Sequence, residues 1–288
     1  MYAITGITGQ VGGALARSML SAGKPVRAVV RNAVTGKTWA SQGCDIAIAD
    51  MLDAEALAEA FRGADGVFIL PPSEFDPSPG FPEARAVINA VKAALEKSRP
   101  RHVVSLSTIG AQAAQPNLLT QRTIMEKELS RLPMPVTFLR PAWFMENFSW
   151  DVASARDNGV IASFLQPLDK AFPMIATADI GRLAAALIQD EYQGKRVVEL
   201  EAAKRYTPSE VAATFAKILG HPVNAEVVPR DTWGPRFKAQ GMKDPIPRIQ
   251  MLDGFNEGWI EFEGSPSTRQ RGTTDLATVL KGLVEAAQ

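Results

Sequence analysis

Thr5-Gly6-Ile7-Thr8-Gly9-Gln10-Val11-Gly12 is the stretch on which the fold of this chain turns. A short apolar run over residues 2–5 leads into it, and a helical pattern over 10–22 leads out. Each glycine has its own physical reason. Gly6 permits a tight exit from a strand, Gly9 lets backbone approach a pyrophosphate with no Cβ in the way, and Gly12 lets the following helix pack closely on the strand. The free N–H groups at the helix start then face the phosphates. A glycine triplet alone is a weak signal. Between a strand and a helix it predicts a dinucleotide site.

The alternation continues downstream. Residues 25–31, 45–49, 66–70, 101–106 and 136–140 read as strands, and 35–42, 53–62, 81–97 and 118–131 as helices. The strands are nearly unbroken in Val, Ile and Leu, as strands covered on both faces are. The expected class is α/β, a Rossmann-type doubly wound parallel sheet. After about residue 150 the rhythm changes. Helical patterns cover 151–158, 180–189, 208–219, 233–240 and 275–286, and short strands 196–200 and 223–228. Prolines and glycines cluster at 229–247 and 263–272. The expectation is a nucleotide-binding domain over 1–150 and a smaller mixed α/β lobe over 151–288, above the strand ends, with room for one strand returned to the main sheet.

The strand ends carry the choice of nucleotide. An NAD site commonly has Asp or Glu at the end of the second strand, on the ribose 2′-hydroxyl. Here that end reads Val29-Val30-Arg31-Asn32. A guanidinium pairs with a 2′-phosphate and finds no matching anion on NAD, so NADP(H) is preferred over NAD(H). Asp50 ends the third strand, where a carboxylate can accept the adenine amino hydrogens; a helix N-cap is the other reading. Leu70 and Ser107 end the fourth and fifth strands near the same crevice.

Composition removes other classes. Lys+Arg and Asp+Glu are both 31, giving zero formal net charge, which argues against nucleic acid as the main ligand. A single cysteine, Cys44, rules out an internal disulfide framework and a Cys-rich zinc site. With two histidines, His102 and His221, a multi-histidine metal site is not expected, and no metal is assigned. The start lacks a basic segment before an apolar stretch, and no run of about 18 apolar residues occurs, so a cytoplasmic protein away from membranes is expected. A homodimer is compatible with the sequence and not required by it.

Several longer stretches make the chain resemble the NmrA-like branch of the atypical short-chain dehydrogenase/reductases. They are TGITGQVGG (5–13), VVRN (29–32), IADMLDAEAL (48–57), TFLRPAWFMENF (137–148), YTPSEVAATFAKILGHPV (206–223), NEGWIEFEG (256–264) and RGTT (271–274). Such proteins include NADPH-dependent quinone, azo-dye and triphenylmethane-dye reductases, and regulators that bind the nucleotide without known turnover. By that resemblance the cofactor residues are Gly6, Thr8, Gly9, Gln10, Val11, Arg31, Asn32 and Asp50, joined by Leu70, Ser107 and Pro141.

The wider superfamily places Tyr-x-x-x-Lys after the fifth strand, where the tyrosine donates a proton. This chain has only Tyr2, Tyr192 and Tyr206, none between 107 and 135. Leu118 and Arg122 stand where Tyr and Lys would. Arg122 is a poor acid, because it stays protonated; it remains a candidate positioning residue for ribose hydroxyls, or an exposed helix arginine. Alcohol–ketone chemistry by the tyrosine route is therefore not expected. A quinone or dye accepts hydride into an electron-poor π-system and needs less proton assistance, so positioning would dominate. Phe75, Trp143, Phe144, Asn147 and Trp233 are the candidate lining of a small aromatic substrate pocket, among aromatics that are mostly expected in the core. The alternative is an NADP(H)-sensing regulator that turns nothing over and presents a surface to a protein partner.

Overall fold

The structure is a computed structural model that describes residues 1–287. Its first half runs β1 (Tyr2–Ile4), α1 (Gln10–Ser21), β2 (Val26–Val30), α2 (Ala33–Ala40), β3 (Asp45–Ile48), α3 (Ala54–Phe61), β4 (Gly66–Ile69), α4 (Pro82–Ser98), β5 (His102–Leu106), α5 (Thr120–Leu129) and β6 (Val136–Pro141). Beyond it come β7 (Trp143–Phe144), a 3-10 turn (Met145–Trp150), α6 (Val152–Asn158), β8 (Val160–Ser163), β9 (Met174–Ile175), α7 (Thr177–Leu187) and β10 (Lys195–Ala202). The chain then forms α8 (Pro208–Leu219), β11 (Asn224–Val227), α9 (Trp233–Ala239), α10 (Ile246–Glu257), β12 (Gln270–Gly272) and α11 (Leu276–Ala286).

Eight strands form one parallel sheet in the order β12-β10-β6-β5-β4-β1-β2-β3. Alternate residues of each inner strand feed opposite cores. Ala3, Val67, Ile69 and Val103 pack with α3, α4 and α5. Ile4, Phe68 and Val104 pack with α1 and α7. All seven have no exposed surface, which is why these strands read as unbroken apolar runs. The order reverses at β1, which lies between β2 and β4, and a ligand crevice opens at such a switch point.

The second half departs from expectation in two ways. It returns two strands to the main sheet, β10 beside β6 and β12 beside β10. β12 is three residues long and mostly exposed at the sheet edge, so no apolar run announces it. The other departure is α10, a helix outside that expectation, which opens at the end of the proline- and glycine-rich stretch 229–247. Pro247 stands in its first turn, where the missing N–H has no intrahelical partner to lose. Among the described residues no helix is long and apolar enough to cross a membrane.

Candidate nucleotide-binding crevice

The crevice begins where β1 ends. The Thr5 hydroxyl donates to the Phe68 carbonyl (3.1 Å) and accepts from the Leu70 N–H (2.8 Å), locking the ends of β1 and β4 together. Gly6 takes φ +63°, and a Cβ there would press on the Leu70 side chain at 3.0 Å. At Gly12 a Cβ would lie 2.3 Å from the Gly6 carbonyl oxygen, so only glycine lets α1 sit this close. Gly9 is the N-cap of α1, and no side chain caps that helix. Thr8, Gly9 and Gln10 are exposed around the open amides, while Val11 is buried beneath them. This is a cradle shaped for an anion: the approach is bare backbone, and the helix start is electropositive.

Arg31 stands one strand over, exposed and without an ion-pair partner among the described residues. Asn32 caps α2, its Oδ1 accepting from the Thr35 N–H at 3.0 Å. Asp50 is exposed after β3 and accepts the Leu52 N–H at 2.9 Å. The cap of α3 is Asp53, three residues on, so Asp50 is not spent on capping a helix. Gly6, Thr8, Gly9, Gln10, Arg31, Asn32, Asp50 and Leu70 thus gather along the carboxyl ends of β1 to β4.

Ser107 and Pro141 are placed differently. Both are buried, and the Ser107 hydroxyl donates to the Glu126 carboxylate. Glu126 is gripped at both oxygens by Arg140 (2.8 and 2.6 Å), and Arg140 also reaches Glu263. The Pro141 carbonyl accepts the Ile109 N–H at 2.9 Å. These two residues brace the crevice wall. A recess of about 410 Å³ lies on the other side of α5, and two of the cations lining it are engaged elsewhere. Arg140 pairs as above, and Lys195 donates to the Leu132 and Met134 carbonyls.

The aromatic candidates separate. Trp143, Phe144 and Asn147 are half-buried at the exit of β6, with Trp143 edge-on to Phe255 at 5.2 Å. Phe75 is 60% exposed on the loop after β4. Trp233 is a correction: it has no exposed surface, its indole N–H donates to the Val228 carbonyl (2.8 Å), and it packs with Phe237 and Phe164 inside the lobe. An indole satisfied by its own lobe presents nothing to a crevice.

Arg122 also has a place that its sequence position did not suggest. It donates to the Pro71 carbonyl (3.1 Å) and the Ser73 hydroxyl (2.7 Å), tying α5 to the loop after β4. Burial pushes its pKa down to about 10, so it stays a cation at neutral pH. Its neighbour Gln121, which sequence reasoning missed, is buried and exchanges two hydrogen bonds with the Glu74 backbone (3.2 and 2.8 Å). A buried glutamine in a helix leaves no periodic signal by which to find it.

Fold and site together define a doubly wound protein of the Rossmann type, with an anion cradle at the switch point and a guanidinium beside it. The chain belongs to the NmrA-like family, whose pattern matches residues 2–235. Quinone oxidoreductase 2 of Escherichia coli (strain K12) is 28% identical over 248 residues, covering 85% of this chain and 84% of that protein. NAD(P)H azoreductase of Xenophilus azovorans is 25% identical over 260 residues, covering 89% and 85%. Among solved structures, the NADPH complex of the E. coli NADPH-dependent quinone oxidoreductase superposes over the whole of both chains with a TM-score of 0.81 at 23% identity. Citrobacter sp. triphenylmethane reductase does so over 99% of each chain with a TM-score of 0.80 at 20% identity. At such identities the superpositions speak to the fold.

Proposed function

We propose that this protein is an NADPH-dependent reductase that passes hydride to a quinone-like or dye-like aromatic acceptor, without a Tyr-Lys pair. The observation that carries the reading is the uncapped glycine cradle with Arg31, exposed and unpaired among the described residues, one strand away. The relatives named for quinone and azo reduction point the same way. NADPH supplies the hydride. The protein's part is binding and orientation: the α1 amides hold the pyrophosphate, Arg31 pairs with the 2′-phosphate, and Asp50 faces the adenine edge. Residues 1–150 provide this platform, and residues 151–288, with the exit of β6, shape the acceptor side. Trp143, Phe144 and Phe75 offer apolar faces against which an aromatic acceptor stacks, with Asn147 as the polar group nearby.

The three tyrosines do not supply an acid to this crevice. Tyr2 begins β1, at the opposite end of that strand from the crevice, Tyr192 lies against Arg196 (4.2 Å), and Tyr206 is buried with its hydroxyl at the Leu276 N–H. An acceptor whose reduced anion is delocalised does not need one, because water can protonate it after transfer. Small aromatic acceptors are therefore favoured over alcohols and ketones. The same lack of an acid is what a nucleotide-sensing regulator would show, and one assay separates the two readings. Protein is mixed with NADPH and a panel of quinones and azo dyes, and loss of the reduced-nicotinamide absorbance is followed. Turnover with at least one acceptor supports the reductase. Tight NADPH binding with no turnover for any acceptor assigns the sensor instead.

A further inference from the structure

The loop that follows β4 is held at three places, and the sheet order says what it covers. Arg31 is at the end of β2, on one side of β1, and β4 is on the other. A dinucleotide whose 2′-phosphate is at Arg31 and whose pyrophosphate is on α1 runs its nicotinamide end toward β4 and β5. Residues 71–80 leave β4 at that end. Arg122 holds the loop's start through Pro71 and Ser73, and Gln121 grips Glu74 from both sides of its backbone. Further along, the Asp76 carboxylate accepts the N–H groups of Lys243 (2.8 Å) and Asp244 (2.9 Å), in the segment just before α10. Those two bonds cross from the sheet to the other half of the chain. They also hold the Asp76 carboxyl below the usual carboxylate range.

The loop's far end is fixed too. Gly80 and Phe81 both take left-handed backbone, φ +81° and +59°, and the second is unfavourable for a phenylalanine. Between these anchors Phe75 is left 60% exposed. The anchors on both sides of it fix where that ring stands.

We propose that Asp76 is a positioning residue: by tying residues 71–76 to Lys243 and Asp244 it straps the nicotinamide end of the crevice, sets Phe75 against the acceptor ring, and so limits acceptor size. The proposal rests on the reductase reading and names what selects among its acceptors. Asp76 touches neither nucleotide nor acceptor. It acts through Phe75 and the strap.

The test compares wild type with Asp76→Ala and Asp76→Asn. The asparagine keeps one acceptor oxygen but opposes the second N–H with its own amide. Hydrogen exchange of the free protein is read first. In Asp76→Ala the Lys243 and Asp244 amides should exchange on the order of tenfold faster, with Asp76→Asn intermediate. NADPH affinity should stay within about twofold, because the strap lies away from the phosphates. With NADPH, kcat/KM for a one-ring quinone should fall on the order of tenfold, mainly through KM, while a polycyclic quinone is unaffected or improves. Calorimetric binding of the one-ring quinone to the NADP⁺-loaded protein should weaken in parallel, a readout that needs no turnover. Equal loss for small and large acceptors, or wild-type exchange and selectivity in Asp76→Ala, overturns the proposal. Wild type that turns over no acceptor sinks the reductase reading alone, and the exchange and calorimetry then decide the strap.

Discussion

Arg31 carries the nucleotide preference on a single guanidinium. Hydrogen bonds to charged groups contribute about 1.5–3 kcal/mol. Arg31→Ala is therefore expected to weaken NADPH on the order of 10- to 100-fold and NADH hardly at all, by fluorescence titration. Equal losses would remove the 2′-phosphate from the argument. Asp151, beside the aromatic exit of β6, offers a test by pH. Burial pushes its carboxyl up to about 6. Below about pH 4 it is protonated in folded and unfolded chains alike and costs nothing. As pH rises through about 6, the folded chain must hold the charge in poorly solvated surroundings while the unfolded chain holds it in water. Stability thus declines across that window, by about 3 kcal/mol at most. Asp151→Asn should raise Tm at pH 8 and leave it nearly unchanged at about pH 3, below both carboxyl values; an equal gain at both would assign the effect to packing.

Elements meet closely where glycine stands. A Cβ at Gly181 would lie 2.5 Å from the Ala14 Cβ and 2.7 Å from the Leu15 nitrogen, so α1 and α7 cross almost backbone to backbone. Overpacking of this kind costs about 1–3 kcal/mol. Gly181→Val should lower Tm accordingly, and because α1 also carries the phosphate cradle, nucleotide affinity should drop with it. A lowered Tm with unchanged affinity would show that α1 holds its place independently of α7. The elements of the first half were legible because each repeats one pattern, an apolar run, a turn and an amphipathic helix. β8, β9 and β12 were not, being two to four residues long and shaped by their neighbours.

At the scale of the molecule, the two halves share one sheet. β10 pairs with β6 over six residues, and the segment after α10 folds back onto it through buried carboxylates. Glu201 is 1% exposed and receives Arg205 (3.0 Å), Arg269 (3.2 Å) and Arg271 (2.8 Å). Glu201→Leu would leave buried Arg269 with Glu199 at 3.8 Å as its remaining acid, while Arg205 keeps Glu261, and is expected to destabilise by about 3 kcal/mol, measured by denaturant unfolding. Residues 1–150 alone would expose the β6 edge that β10 covers, so that fragment should aggregate, while the full chain unfolds in one transition. Two separate transitions would mean that the halves are independent units.

The sequence by itself determined the doubly wound class, the glycine cradle and the guanidinium at the second strand end. Those features depend on neighbours within a few residues: a strand, a turn, a helix and their periodicities. Tertiary structure alone decided that Trp233 is core, that Ser107 turns to Glu126, that Arg122 and Gln121 hold the loop after β4, and that Asp76 reaches Lys243 and Asp244. Such contacts join residues from 19 to 168 positions apart. A side chain's partner across that distance is fixed by how sheet and lobe pack, and local pattern carries no record of it.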